Sequence, residues 1–375
     1  MKSAYIHIPF CEHICHYCDF NKVFLQGQPV DEYIEMLIKE FAITLQSYPT
    51  ETLRTIFVGG GTPTALNEQQ LEMLCKGIRA ELPFHEGEFT FEANPGDLSI
   101  EKLKILSEYG VNRLSFGVQS FNDELLAKIG RSHRVKDVYK SIDAAQKLGF
   151  SNISIDLIYA LPGQTLEDFQ STLVEALAMD LPHYSGYSLI VEPKTVFYNL
   201  MRKGKLILPG ADVETKMFHM LMEEMEKKGL SQYEISNFAK PGFESEHNLV
   251  YWNNESYYGF GAGAHGYIQG KRYSNSGPLK KYMEPLRNGN LPIFEENIVT
   301  KQEMMEEEMF LGLRKTNGVQ ISHFYEKFHE NLFDVFQAPI DEMTNRGLLM
   351  IEDDHVRLTT EGRFLGNEVF QAFLL

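Results

Sequence analysis

The chain has 375 residues, 43% of them hydrophobic and 23% charged, and 35 Lys and Arg against 52 Asp and Glu leave a net charge of −17 with His neutral. That composition excludes a disordered chain, which would lack the aliphatic and aromatic side chains for a core, and no run approaches the roughly 20 apolar residues that span a bilayer. The acidic balance argues against nucleic acid as the main partner, because phosphate binding needs clustered Lys and Arg.

The start carries no targeting pattern. Met1-Lys2-Ser3 leads into Ala4 to Phe10, an apolar stretch too short and too interrupted for a signal peptide, so a cytoplasmic location is expected. Tyr5 to Ile8 reads as a strand. Asp31 to Gln46 places Ile34, Leu37, Ile38, Phe41 and Leu45 on one helical stripe. Thr55 to Val58 is a short buried strand ending in glycines. Asn67 caps the next helix, with Gln70 at its third position and Leu71, Leu74 and Ile78 along its face. Glu88 to Glu92 alternates as a strand, and a helix from Ile100 to Tyr109 stops at Gly110. Arg113 to Val118 is a strand, followed by short helices over Asp123 to Ile129 and Val135 to Leu148. Asn152 to Ile158 is a strand, Thr165 caps a helix through Ala178, and His183 to Ile190 is a sixth strand.

Six strands, each followed by helix, require a parallel sheet with helical crossovers. The fold expected is α/β, a partial (β/α)6 barrel, with a flat doubly wound sheet as the competing arrangement. Residues 1–236 form this core. Residues 237–300 are an aromatic-rich connecting region. Residues 301–375 are mostly helical, with strands at Leu348 to Glu352 and His355 to Leu358, a winged-helix-like outline. The Met304 to Glu308 run makes that last unit an acidic packing domain rather than a DNA reader. The suggestive residues follow strand ends, where parallel α/β folds bind ligands.

Chemistry concentrates in Cys11-Glu-His-Ile-Cys15-His-Tyr-Cys18, a CxxxCxxC spacing after the first strand. The fourth cysteine, Cys75, sits on a helix face as core filler. Clustered thiols in a reducing compartment point to metal or redox work rather than to disulfides. Soft thiolates select zinc or iron–sulfur clusters. A closed zinc site wants four ligands, with His13 or His16 as the fourth. A cubane cluster normally takes four Cys, so three leave one iron open to a substrate or cofactor.

The motif, with an aromatic before its last Cys and a Gly59-Gly60-Gly61-Thr62 loop after the second strand, resembles the radical S-adenosylmethionine (SAM) superfamily. The resemblance implies a 4Fe–4S cluster on Cys11, Cys15 and Cys18, with SAM chelating the fourth iron, Tyr17 near the adenine and the glycine loop at the SAM amino group. Glu92-Ala-Asn-Pro95, Phe116-Gly-Val-Gln-Ser120, Arg131 with His133, and Asp156-Leu-Ile158 with Leu161-Pro-Gly163 resemble the branch of oxygen-independent coproporphyrinogen III dehydrogenase. That branch implies SAM contacts by Tyr5, Gly60, Gly61, Thr62, Glu92, Gln119, Arg131 and Asp156. Physically, Glu92 and Asp156 can accept from ribose hydroxyls, and Arg131 can fork onto a carboxylate.

The dehydrogenase has a fourth Cys two positions after the third, and an extension before the Cys loop. Here that position is Phe20, and Cys11 lies near the start. Both departures are similar to the related radical SAM heme chaperones, as is His247-Asn-Leu-Val-Tyr251-Trp252, an HNxxYW string holding the single Trp. The resemblance implies heme as cargo. His247 is then the candidate axial ligand, Trp252, Tyr251, Tyr257 and Tyr258 offer flat apolar surfaces, and His265 is a second imidazole. His7 is expected to orient the cluster loop by hydrogen bonding. The implied partners are heme and heme-accepting proteins, membrane-bound respiratory enzymes among them, with peripheral membrane contact and a homodimer open to test. Propionate decarboxylation and a zinc-stapled binding module are the competing functions.

Overall fold

The computed structural model describes residues 2–374. Its central sheet is built from β1 (Ser3–Ile8), β2 (Leu53–Gly60), β3 (Phe84–Ala93), β4 (Arg113–Gln119), β5 (Asn152–Tyr159) and β6 (His183–Ser188), hydrogen-bonded in that order and all parallel. A doubly wound sheet would reverse its order at a switch point. The unreversed order is that of a barrel left open, so the α/β partial barrel is the fold.

Helices α1 (Val30–Ser47), α2 (Glu68–Glu81), α3 (Ile100–Glu108), α4 (Asp123–Lys128), α5 (Val135–Lys147) and α6 (Leu166–Ala178) make the crossovers; α7 (Val196–Arg202) and α8 (Ala211–Lys227) follow β6. Asn67 and Gln70 form the reciprocal cap of α2, and Thr165 with Asp168 that of α6. Cys75, on the inward face of α2, is fully buried in the core.

Side chains alternate across a strand, and here the two faces differ in chemistry. Ile6, Ile8, Ile56, Val58, Phe89, Phe91, Leu114, Phe116, Ile153 and Ile155 pack into the core. The alternate residues Tyr5, His7, Thr55, Glu88, Thr90, Glu92, Arg113, Ser115, Ser154, Asp156, His183 and Ser185 turn to the barrel interior, which is therefore mostly polar, with the Phe57 ring between Tyr5 and His247 as an apolar exception.

The chain then returns to the sheet. Strands β7 (Ser231–Glu234) and β8 (Asn237–Ala239) extend it antiparallel beyond β6, and β9 (Tyr258–Phe260), reached through α9 (Glu246–Trp252), lies parallel beside β1. Next come β10 (His265–Ile268), β11 (Lys271–Asn275), α10 (Leu279–Arg287) and β12 (Ile293–Ile298), whose strands form a separate antiparallel sheet. Tyr258, Phe260, Ile268, Tyr282 and Leu286 share the barrel's hydrophobic core, so packing shows no break at residue 236.

The last unit, α11 (Lys301–Gly312), β13 (Val319–Gln320), α12 (Ile321–Phe328), α13 (Leu332–Asn345), β14 (Leu349–Glu352) and β15 (His355–Leu358), has its own core around Met309, Phe324, Phe336, Ile340 and Val356. Its three strands make a small sheet with β15 in the centre. It docks on the barrel through Arg314, whose guanidinium lies 4.6 Å from the Trp252 ring, and through Lys315 Nζ, which donates to Asn253 Oδ1 at 2.7 Å.

Candidate functional site

The cysteine loop leaves the carboxyl end of β1 and folds over the mouth of the barrel. Its far end is held by His7. The Nε2–H of that ring donates to Asn21 O at 2.7 Å, which leaves Nδ1 to accept from the Tyr5 hydroxyl at 2.9 Å. Burial lowers the His7 pKa and keeps the ring neutral. Asn21 Nδ2 in turn donates to Ala262 O at 2.7 Å and Gly277 O at 3.1 Å. The middle of the loop is held by His16, whose Nδ1–H donates to Lys128 O at 2.9 Å. His16 is thus a brace of the loop, and the mouth keeps its three thiols free of disulfides.

Under the loop lies a cavity of about 400 Å³. Cys11, Cys15, Cys18, Tyr17, Gly60, Gly61, Thr62, Glu92, Gln119, Arg131 and Asp156 all line it, so the fold gathers these expected residues from five strand ends. Tyr5 does not line it; its ring packs on Phe57 and its hydroxyl serves His7. Among the described residues, no three His, Cys, Asp or Glu converge tightly enough to hold a metal ion, so the thiols share a cavity without closing on one point.

The glycine loop is steric in origin. A Cβ on Gly60 would stand 2.4 Å from the His7 ring, and its φ of +111° is a conformation that only glycine adopts cheaply. A Cβ on Gly59 would meet Glu92 Oε2 at 2.6 Å. Instead Glu92 Oε2 accepts from Gly60 N at 2.9 Å, and burial pushes the Glu92 carboxyl up to about 7. Burial also raises Asp156, against the Ser185 and Ser115 hydroxyls that favour its charged form. Gln119 closes β4 at a φ of 67°, strain of the kind that collects at binding sites.

Arg131 is committed further than the sequence suggested. Nη2 donates to Asn94 Oδ1 at 2.6 Å and to Gly117 O, and Nη1 donates to Cys15 Sγ at 3.5 Å. Its two terminal nitrogens therefore do not form a free fork. Arg131 Nε and Gln119 Oε1 are buried without a hydrogen-bond partner. Burial pushes the Cys11 thiol up to about 11 and raises Cys18 as well, so ligation must displace protons. Soft thiols, orphaned polar atoms and a cradle that a Cβ would fill all fit a cluster with SAM beside it.

Several lining residues carry no role in the sequence reading: Asn94, Ser115, Lys22, Tyr187 and Ile190. Strand alternation points to Ser115, one residue before Phe116 and in register with Glu92. Asn94 lies within the Glu92-Ala-Asn-Pro string.

The HNxxYW string lies elsewhere. His247 is buried at the opposite end of the interior, where Nδ1 meets Thr55 Oγ1 at 2.8 Å and Nε2 meets Tyr251 Oη at 2.9 Å. Its ring stacks on Phe57, and burial lowers its pKa to about 3. Both ring nitrogens are thus engaged within the fold. Trp252 is half-buried, with Arg314 over its ring. His265 opens β10 with its side chain exposed.

A βα half-barrel whose first loop carries CxxxCxxC over a polar mouth defines the radical SAM class. Residues 5–176 match the family model described as Radical SAM superfamily, and residues 299–365 match the HemN C-terminal domain. The heme chaperone HemW of Bacillus subtilis is 56% identical over 376 aligned residues, covering 100% of this chain and 99% of that one. HemW of Lactococcus lactis is 50% identical, covering 100% and 97%. The chain belongs to the HemW family of radical SAM proteins. The solved coproporphyrinogen III oxidase HemN of Escherichia coli, 24% identical, superimposes with a TM-score of 0.86 over 99% of this chain and 90% of that one, a likeness of fold.

Proposed function

We propose that the protein is a heme chaperone, binding heme and passing it to acceptor proteins, with membrane-bound respiratory enzymes among the acceptors. It works in the cytoplasm and touches the membrane only peripherally. The observation that carries the reading is Phe20. It lines the mouth of the cavity two residues beyond Cys18, is 59% exposed, and occupies the place of the fourth cysteine of the decarboxylating relatives. Full-length identity of 56% to a heme chaperone supports it.

In this reading Cys11, Cys15 and Cys18 hold the 4Fe–4S cluster. The Gly60–Thr62 backbone, Tyr17, Glu92, Asp156, Gln119 and Arg131 would hold SAM, with Glu92 and Asp156 available to accept from hydroxyls and Gln119 Oε1 and Arg131 Nε available to be paired by the ligand. When bound, the cluster and SAM supply one-electron cleavage of a sulfonium. The chain's own work is to seat the ligand, exclude water from the mouth and keep the thiols apart. For heme iron, His265 is the imidazole open as the fold stands; His247 becomes available only when its bonds to Thr55 and Tyr251 open.

The test is anaerobic incubation of the reconstituted chain with SAM, a strong reductant and coproporphyrinogen III, followed by hemin titration of the same sample. No protoporphyrin, an intact cluster, a hemin Soret band and transfer to an apo-acceptor are expected. Multiple turnovers to protoporphyrin would make the chain a dehydrogenase despite Phe20. A Soret band unchanged by His265→Ala and His247→Ala would remove both imidazoles from the heme site.

A further inference from the structure

One hydrogen-bonded chain joins two of the three cysteines, and the chemistry of its members fixes its direction. Arginine only donates, so the 2.6 Å contact from Arg131 Nη2 makes the facing Asn94 atom its Oδ1. Asn94 Nδ2 then points at Thr62 Oγ1, 3.0 Å away. With its oxygen accepting there, the Thr62 hydroxyl proton is directed to the one remaining partner, Cys11 Sγ at 3.6 Å. The same guanidinium reaches Cys15 directly, from Nη1 at 3.5 Å. Thr62 is buried in the cavity wall. Asn94 is further fixed through its backbone N–H, which donates to Thr64 Oγ1 at 3.4 Å.

Hydrogen bonds to cluster sulfurs are among the levers that set a reduction potential, because they stabilise the more negative, reduced state more than the oxidised one. Bonds in such a chain polarise one another, and a cation at its head strengthens the last link. We propose that Arg131, Asn94 and Thr62 form a relay that carries the guanidinium's pull to the Cys11 sulfur and sets the potential at which the cluster accepts its electron. Thr62 and Asn94 are positioning residues in this role. Thr62, expected from the sequence as a SAM contact, spends its hydroxyl on sulfur. The inference rests on the reading that Cys11, Cys15 and Cys18 hold a 4Fe–4S cluster.

Potentiometric titration of the reconstituted full-length chain tests it, with titanium(III) citrate as the one-electron donor and the spin signal of the reduced cluster as readout. Iron and acid-labile sulfide are measured in every sample. Thr62→Val keeps the shape and removes the proton. It is expected to lower the reduced-to-oxidised ratio at fixed potential roughly tenfold, a shift of about 59 mV for one electron. Thr62→Ser keeps the donor and should return the midpoint close to wild type. Asn94→Leu, which breaks the relay one step earlier, should shift it in the same direction by less. A wild-type midpoint in Thr62→Val with full iron and sulfide would overturn the relay, as would a fall in Thr62→Ser equal to that in Thr62→Val. If Thr62→Val assembles no cluster, an unshifted Asn94→Leu overturns it instead. A wild-type chain that takes up no iron and sulfide would overturn the cluster reading itself, and the relay with it.

Discussion

The two ends of the barrel interior are lined with the same kinds of side chain and differ in whether a cavity adjoins them. At the amino-terminal end of the strands Glu88 and the histidines are partnered within the fold, while Ser3 Oγ, Arg113 Nε and Asn152 Oδ1 are buried without a hydrogen bond and, among the described residues, with no cavity of comparable size beside them. Glu88 accepts from Ser245 Oγ at 3.2 Å and from the N–H groups of Glu246 and His247 at 2.9 and 3.1 Å, with Arg113 Nε 3.9 Å away. His183 meets Ser154 Oγ and Tyr233 Oη at 2.7 and 2.9 Å, and His247 has Thr55 and Tyr251. At the carboxyl-terminal end, Gln119 Oε1 and Arg131 Nε are buried with no partner, beside an open cavity. A buried polar atom left unpaired costs about 1–3 kcal/mol. The lesson is that a histidine in a satisfied network is framework, and that an orphaned polar atom points to a ligand where a cavity adjoins it, as Gln119 Oε1 and Arg131 Nε do.

The sharpest way to break this contrast is to alter one thiol. Cys11→Ser, Cys15→Ser and Cys18→Ser should each abolish cluster assembly, read as loss of iron and acid-labile sulfide in a chain with unchanged circular dichroism, because a neutral hydroxyl poorly replaces a soft thiolate. His247→Ala at the other end should leave iron and sulfide intact. If instead the His247 variant loses its cluster, the two ends are one site.

The next effect is on stability in acid. His247 holds its folded pKa near 3, chiefly through burial and secondarily through Arg113, against about 6.5 unfolded. Between those values the unfolded chain binds a proton that the folded chain refuses. The contribution is therefore fully present above about pH 6.5 and is lost as pH falls toward 3, on the order of 5 kcal/mol. Urea unfolding across that window should show His247→Gln with a pH slope smaller by up to one proton. An unchanged slope would mean that the ring is not held neutral.

At the cavity end, Gly60→Ala should cost about 2–3 kcal/mol, since it combines a positive φ with a clash, and SAM binding by equilibrium dialysis should fall with it. Gly27, also at positive φ (+77°) but with open space around it, is the control; Gly27→Ala should cost about 1 kcal/mol. Smallest is the joint with the C-terminal unit. Arg314→Gln removes the cation from the Trp252 face and should lower stability by about 0.5–1 kcal/mol in urea unfolding. A larger loss would make the joint part of the barrel's framework.

Much of the cavity end was legible in the sequence. Cysteine spacing, a glycine run and strand ends are local features, and the steric demand at Gly60 leaves its mark in the residue type itself. The caps at Asn67 and Thr165 are equally local. The other end was not legible. That His247 is sealed depends on Thr55, 192 positions away, and no pattern near residue 247 announces that partner. Strand β9 was missed for the same reason. Its three residues, Tyr258–Phe260, carry too little alternation to read as a strand, and pairing with β1 is what makes them one. Arg131 was read as a free fork because its acceptors, Asn94 and Gly117, come from other strands.

That late pairing has a consequence in time. The thiols leave the ribosome before Ala262 and Gly277, which brace their loop through Asn21, and before Tyr258–Phe260, which cover the edge of β1. At roughly 5–20 residues per second the wait between the thiols and their brace is on the order of 10–50 seconds. During that interval the cysteines stand on an unfinished chain, without the contacts that later hold their loop over the barrel.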